Sequence, residues 1–410
     1  MESFYIQRKA DFYLAEWKSN PQKLPLVVKG ARQIGKTETI LHFAKQHYEH
    51  IVYINFVTDE KYKAITKDGY EAQSIIKNIS LIDTSKKFIP QKTIIIFDEL
   101  QEFPEIATSL KFFKLAGLFD VVCSGSLLGL SYNRIQSNSV GYKTDYEMSS
   151  LDFEEFLWAK GYKEDFSEEI YFHLKEQKPF SENEFKILND CFIEYAVLGG
   201  MPAVIKQFLK DGTFSNILAI QQQFVLDYEE DITKYADGLD KVKIKNIYRN
   251  IPVFLAQENK KFQITKVAKN ARSRDYVGCA DWLKDAGVVN LCYCLNDATL
   301  PLKGNYDSSK YKIYYHDTGL LIANLDEESS DDLRKNQNLG TYKGAIYENL
   351  IGQMLTAQGQ ELFYYKKENS QLEMDFFVRT SESLVPLEVK SKDGATASLN
   401  NLISYPSYSD

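Results

Sequence analysis

Apolar blocks and polar breaks alternate along the first 126 residues in a strand–helix rhythm. Leu24-Pro25-Leu26-Val27-Val28 predicts a short buried strand, and residues 38–48 place Ile40, Leu41, Phe43 and Ala44 on one helical face. His50-Ile51-Val52-Tyr53-Ile54-Asn55-Phe56, residues 93–99 and residues 120–126 predict further strands, with a helix expected over 104–116. Residues 59–90 read as helix and loop, and residues 4–17 predict an amphipathic helix ahead of the first strand, with Arg8 and Lys9 between its apolar positions. Apolar strands alternating with helices predict a parallel α/β sheet covered by helices.

The later pattern is different. Phe153, Phe156 and Leu157 open a helical region that continues to residue 195 and breaks at Leu198-Gly199-Gly200-Met201-Pro202. A long helix is expected over 216–236, then helices over 241–257, 265–270 and 273–286, and paired strands over 287–294 and 311–315. Three helices and a hairpin form a winged-helix pattern. The run 326–332 reads as an exposed acidic linker, followed by a helix from Gly344, strands over 361–365, 373–379 and 385–389, and a short helix over 398–404.

Chemistry enters where these elements meet. Gly30-Ala31-Arg32-Gln33-Ile34-Gly35-Lys36-Thr37 satisfies G-x-x-x-x-G-K-[ST] between a predicted strand and a predicted helix, which makes it a phosphate loop. Its backbone N–H groups and the helix N-terminus attract anions, and Glu38 closes the stretch. Lys36 is expected to reach the β- and γ-phosphates, and the Thr37 hydroxyl to ligate Mg²⁺. The strand 93–99 ends in Asp98-Glu99: Asp98 is placed to orient the Mg²⁺ shell, and Glu99 to polarise a water for in-line attack. Ser124 and Ser126, ending the next strand, are candidate sensors of that water or of the γ-phosphate, or caps of the following turn. ATP and Mg²⁺ are thus the expected ligands, and Lys36, Thr37, Asp98 and Glu99 together have no purely structural use.

The chain is 410 residues long, which predicts several domains, and 44% apolar with 26% charged residues, a globular balance. Its net charge of -8 argues against a surface coated throughout in nucleic acid, yet residues 241–274 carry ten Lys/Arg against one Glu. Within that stretch Lys266 and Lys269 are candidate phosphate contacts of double-stranded DNA, and Arg272 and Arg274 candidate major-groove contacts. Winged helices also dock proteins, so a protein-partner role stands beside DNA binding. Five scattered cysteines, no basic–apolar leader at Met1 to Tyr5 and no apolar run near about eighteen residues predict a reduced, cytoplasmic protein outside membranes.

The segments Gly30 to Thr37, Asp98-Glu99-Leu100-Gln101 and Ser124-Gly125-Ser126 resemble the AAA-type ATPases of a bacterial and archaeal family with a C-terminal domain of unknown function, DUF4143. Archaeal-type and signal-transduction P-loop ATPases are its broader relatives. The resemblance implies that the Gly-x-Pro element closes over adenine, bringing Met201 and Pro202 to the base. Where the family has Gly-Arg this chain has Gly141-Tyr142-Lys143, and Lys143 reads as a solvated loop residue. The tail resembles the PD-(D/E)xK nuclease fold, which implies that Asp375 and Glu388 hold Mg²⁺, that Lys390 stabilises developing charge and that Glu348 completes the site. It stops one strand short of that fold, as a truncated copy or one paired with a neighbouring chain would.

The expected fold is therefore α/β: a P-loop NTPase parallel sheet (1–150), a helical lid (151–240), a winged-helix module (241–325) and a nuclease-like α/β domain (333–410). Two functions follow as expectations. One is an ATPase acting on DNA through the winged helix and tail; the other is a nucleotide switch that recruits a protein partner or further copies of itself, with an inactive nuclease-like domain.

Overall fold

The apolar blocks of the N-terminal region become the strands of one all-parallel sheet. The computed structural model describes residues 4–127, 139–236, 241–257, 262, 276, 278–340, 342–367, 372–391 and 396–404. It divides into two units, Met1–Ser150 and Leu151–Asp410.

In the first unit the strands are β1 (Leu26–Gly30), β2 (His50–Asn55), β3 (Thr93–Asp98), β4 (Asp120–Ser126) and β5 (Thr144–Glu147). Their order is β2-β3-β4-β1-β5, with every pairing parallel. β3 is buried along its whole length, as its unbroken Ile-Ile-Ile-Phe run requires of a central strand covered on both faces. Helices α1 (Lys9–Ser19), α2 (Lys36–His47), α3 (Ala72–Ile82) and α4 (Leu110–Ala116) accompany the sheet. Val27, Val52, Ile54, Ile95, Phe97, Val121 and Cys123 from four strands share a core with Ile75 and Ile79 of α3 and Leu110 and Phe113 of α4. The expected helix over 104–116 is 3-10 in its first half, Pro104–Ser109, before it turns α-helical. The short strand β5 was not legible in the sequence, because Thr-Asp-Tyr-Glu lacks an apolar run.

The second unit begins with α5 (Phe153–Ala159), α6 (Phe166–Lys175), α7 (Glu182–Leu198), α8 (Pro202–Asp211), α9 (Ile217–Tyr235) and α10 (Lys241–Leu255). The α7–α8 break is fixed by Asp317: its carboxylate accepts from Gly200 N at 2.8 Å and Gly319 N at 2.9 Å. Gly199 sits at φ 69°, and a Cβ there would fall 2.0 Å from Asp317 Oδ1, so only glycine fits.

After α11 (Cys279–Asp285), β6 (Val289–Leu295) and β7 (Tyr306–Tyr315) form the expected hairpin. Short helices α12 (Thr318–Ala323) and α13 (Ser329–Lys335) lead to α14 (Tyr342–Ala357), β8 (Leu362–Lys366), β9 (Glu373–Met374), β10 (Phe376–Arg379), β11 (Leu384–Leu387) and α15 (Ala397–Ile403). The run expected as a linker is thus partly helical, with Ser329 and Leu333 buried. The hairpin does not stand apart from the tail. β6 pairs in parallel with β8 in a sheet ordered β7-β6-β8-β9, while β10 and β11 pair separately. Leu295, Ala298 and Leu302 enter one core with Phe363, Tyr365, Met374, Phe377 and Leu402, so the stretches on either side of residue 326 fold around common apolar side chains.

Candidate functional site

The phosphate loop leaves the C-terminal end of β1 and enters α2, as its spacing predicts. Gly30 has φ 156°, and a Cβ on it would meet Met148 O at 2.2 Å, so the loop leaves the sheet where only glycine passes. Gln33 (φ 62°) and Gly35 (φ 94°) are left-handed, which curls the loop before Lys36 starts the helix. Ala31 and Ile34 are buried, Arg32 and Glu38 half-buried and Gln33 exposed. The Lys36 ammonium donates to Ala31 O at 2.6 Å and to Gly30 O at 3.2 Å. Burial pushes its pKa down to about 8, against the pull of Glu99 and Asp98 in the other direction.

Asp98 is 2% exposed at the end of β3 and gathers donors from its neighbours. Tyr53 OH donates at 2.7 Å and Asn55 Nδ2 at 3.1 Å from β2. The Ser124 hydroxyl donates from β4, and Thr37 Oγ1 lies 3.1 and 3.2 Å from the two carboxylate oxygens. Parallel pairing explains the convergence: Asn55 is in register with Asp98, and Phe97 with Cys123, so the carboxyl ends of three strands open at one place. Glu99 is left-handed (φ 59°), and the Gln101 side-chain amide donates to its carboxylate. The same Gln101 accepts from Ser126 N at 3.1 Å, which ties the Asp-Glu turn to the end of β4.

Ser126 Oγ is buried without a hydrogen-bond partner among the described residues. Ser124 and Ser126 therefore differ: the first is spent on Asp98, and the second is a hydroxyl awaiting a partner. This orphan, the buried Lys36 ammonium and the Thr37–Asp98 oxygen pair fit a polyphosphate with Mg²⁺, a cation that prefers such hard donors.

Sequence reasoning missed four contributors. Arg8, 4% exposed, donates to Ile34 O at 2.9 Å and Ser149 O at 2.8 Å, bracing the loop from ahead of α1. Its place between apolar Ile6 and Ala10 was the available signal. Tyr53 and Asn55 had none beyond their place in the second strand, and Gln101 was seen only as part of the Asp98-to-Gln101 turn. Lys143 is not a solvated loop residue, since its side chain is largely buried and paired with Asp145, which also takes Lys29.

In the second unit, Met201 is buried and caps α8, which Pro202 opens. Lys266, Lys269, Arg272 and Arg274 lie outside the described residues. The tail acids do converge, but on a lysine. Lys312 of β7, 1% exposed, places its Nζ 2.9 Å from Glu348 Oε1, 3.2 Å from Glu373 Oε1 and 3.6 Å from Asp375 Oδ1. Tyr314 OH also donates to Glu348, and Val389 N to Asp375 Oδ2 at 2.9 Å. Glu348 is thus held by an ammonium rather than completing a metal site as expected, and Lys390 pairs with Glu388 at 2.6 Å. Among the described residues no group of three or more His, Cys, Asp or Glu side chains is arranged to hold a metal ion, and no helix is long and apolar enough to cross a membrane.

A parallel sheet with a phosphate loop at the end of β1 and an Asp-Glu pair at the end of β3 defines a P-loop nucleotide-binding protein. Comparison with known families agrees: residues 22–157 match the AAA domain, and residues 343–408 match the domain of unknown function DUF4143. The chain thus carries an AAA-type P-loop ATPase domain and a C-terminal DUF4143 domain, an assignment that implies a nucleotide and usually Mg²⁺. Residues 189–331 match a second domain of unknown function, DUF8612. No curated protein matches the chain.

Solved structures similar at low identity include the following three. The Walker-type ATPase PABY2304 of Pyrococcus abyssi is 12% identical, over 78% of this chain and 96% of that one, with a TM-score of 0.46. The Aeropyrum pernix ORC1 protein in complex with DNA is 11% identical, over 82% and 93%, with a TM-score of 0.34. The Thermotoga maritima RuvB Holliday junction branch migration motor is 14% identical, over 69% and 89%, with a TM-score of 0.33. The family matches and the local geometry, not these distant folds, define the class.

Proposed function

We propose that the first unit binds ATP with Mg²⁺ and hydrolyses it, and that the second unit couples this turnover to double-stranded DNA. The observation that carries the first half is the Asp98 carboxylate, held by Thr37, Tyr53, Asn55 and Ser124 beside Lys36. Lys36 and the loop N–H groups hold the phosphates, Thr37 and Asp98 hold the cation, and Glu99 accepts a proton from the attacking water. Mg²⁺ supplies charge neutralisation on the phosphate oxygens. Gln101 sets the Glu99 carboxylate, and Ser126 Oγ meets the phosphate or the water. Met201 and Pro202 are the proposed contacts to the base.

Support for DNA is the basic stretch 241–274, with Lys266 and Lys269 on phosphates and Arg272 and Arg274 on base edges. A second reading is a nucleotide switch that recruits a protein partner. Lys312 favours it, because Glu348 and Asp375, two of the acids that a nuclease needs, already face its ammonium. ATP turnover with and without duplex DNA, at low and moderate salt, separates the two. DNA stimulation that fades with salt and is lost in Arg272→Ala/Arg274→Ala supports DNA coupling. Turnover indifferent to DNA at both salt concentrations rejects it and leaves the switch.

A further inference from the structure

The nuclease resemblance implies a divalent cation at Asp375 and Glu388, completed by Glu348, and the side chains do not fit one. Glu348, Glu373 and Asp375 approach from α14 and from the bend between β9 and β10, and the space between them holds the Lys312 ammonium at 2.9, 3.2 and 3.6 Å. Lys312 reaches there from β7 because β6 pairs with both β7 and β8, which sets the hairpin's inner face against α14. The Tyr364 ring lies 4.8 Å from the same nitrogen. Glu373 also takes Lys366 at 2.7 Å. A lysine in these surroundings is not a spectator, since taking the ammonium away from the buried Glu348 is costly.

We propose that Lys312 is the resident cation of this acid cluster: it takes the place of a divalent metal ion and clamps the hairpin to the DUF4143 tail. The proposal rests on the second unit alone and stands or falls apart from ATP hydrolysis. A metal ion entering beside the ammonium would meet a like charge at contact distance, so the wild-type cluster excludes it. Lys312 and Lys366 together hold the Glu373 carboxyl below the usual range against the effect of burial. Burial alone would lower the Lys312 pKa, but Glu348, Asp375 and Glu373 together hold it well above the usual lysine value. Glu388 stands outside these Lys312 contacts: its Oε1 takes Lys390, and its Oε2 is buried without a hydrogen-bond partner among the described residues.

The test is Mn²⁺ binding to the nucleotide-free full chain, followed by electron paramagnetic resonance. Wild type and Asp375→Asn are expected to bind Mn²⁺ alike. Lys312→Gln is expected to bind it about tenfold more tightly or better, one like charge having been removed. The double variant Lys312→Gln/Asp375→Asn is expected to lose that gain. A wild-type site that disappears in Asp375→Asn overturns the proposal, and so does a folded Lys312→Gln that gains nothing. Should Lys312→Gln fail to fold, the comparison of wild type with Asp375→Asn decides alone.

Discussion

Each unit of this chain sets a lysine near a group of carboxylates, and the two arrangements suit opposite purposes. In the first, Asp98 is held by hydroxyls, an amide and a backbone N–H, all neutral donors. Its charge is oriented but not cancelled, and the nearby Lys36 rests on backbone carbonyls. In the second, Glu348, Glu373 and Asp375 share one ammonium, and Glu373 takes Lys366 as well, so part of their charge is cancelled. Neutral donors make a carboxylate into a metal ligand, whereas a buried lysine makes it into a structural ion pair. Residue identity alone does not distinguish the cases, since both consist of acids with a lysine at hand.

Breaking the first site has the largest effect. Lys36→Ala is expected to abolish nucleotide binding, and turnover with it. Glu99→Gln is expected to keep binding and lower turnover by about 100- to 10,000-fold, the size of a general-base contribution. Steady-state phosphate release, beside the binding of a fluorescent ATP analogue, checks both. A Glu99→Gln variant with normal turnover would remove Glu99 from the chemistry.

Breaking the second site acts on stability and not on chemistry. Lys312→Ala is expected to lower the unfolding free energy by about 3–5 kcal/mol, because it leaves buried carboxylates uncompensated. Urea titration measures this. Adding Glu348→Gln to Lys312→Ala is expected to recover part of the loss, which removal of an inert lysine would not predict. pH sharpens the contrast. Burial raises the Glu373 pKa, and Lys312 and Lys366 lower it, with a net folded value below the usual 4.5. A depressed folded pKa means that stabilisation is fully present above 4.5 and lost as pH falls through the lower folded value. The wild type is therefore expected to lose thermal stability on acidification below 4.5, and Lys312→Ala to lose less there.

The smallest effect is again at the first site. Lys36 titrates at about 8, and phosphate binds its ammonium form, so the Kd for ATP is expected to be flat below that pH. Above it the Kd rises by up to about tenfold per pH unit. A flat profile through pH 10 would place the Lys36 ammonium outside phosphate recognition.

The phosphate loop was legible because its parts lie in one continuous stretch. Gly30 and Gly35 supply the backbone conformations, and Lys36 and Thr37 follow at set positions on the first turn of a helix. Asp98 and Glu99 were legible for a related reason, as an unbroken apolar strand ending in acids marks the carboxyl edge of a parallel sheet. Arg8, Tyr53, Asn55 and Gln101 were not, because their value comes from what they face across the sheet or loop. The apolar hairpin was foreseen, but its pairing with β8 was not, since an apolar strand does not specify its neighbour.

The sequence by itself determined that a nucleotide loop, its acids and an α/β sheet belong to the first 150 residues, because those features depend on spacing and on local backbone preference. It also singled out Glu348, Asp375 and Glu388 as unusual acids in the tail. Only the tertiary structure decided what those acids hold. Lys312 is 36 residues from Glu348 in the chain, and strand register and helix packing bring its ammonium to a carboxylate that no local pattern links to it. A charge buried in a protein is governed by its nearest opposite charge in space, and that neighbour is a property of the fold.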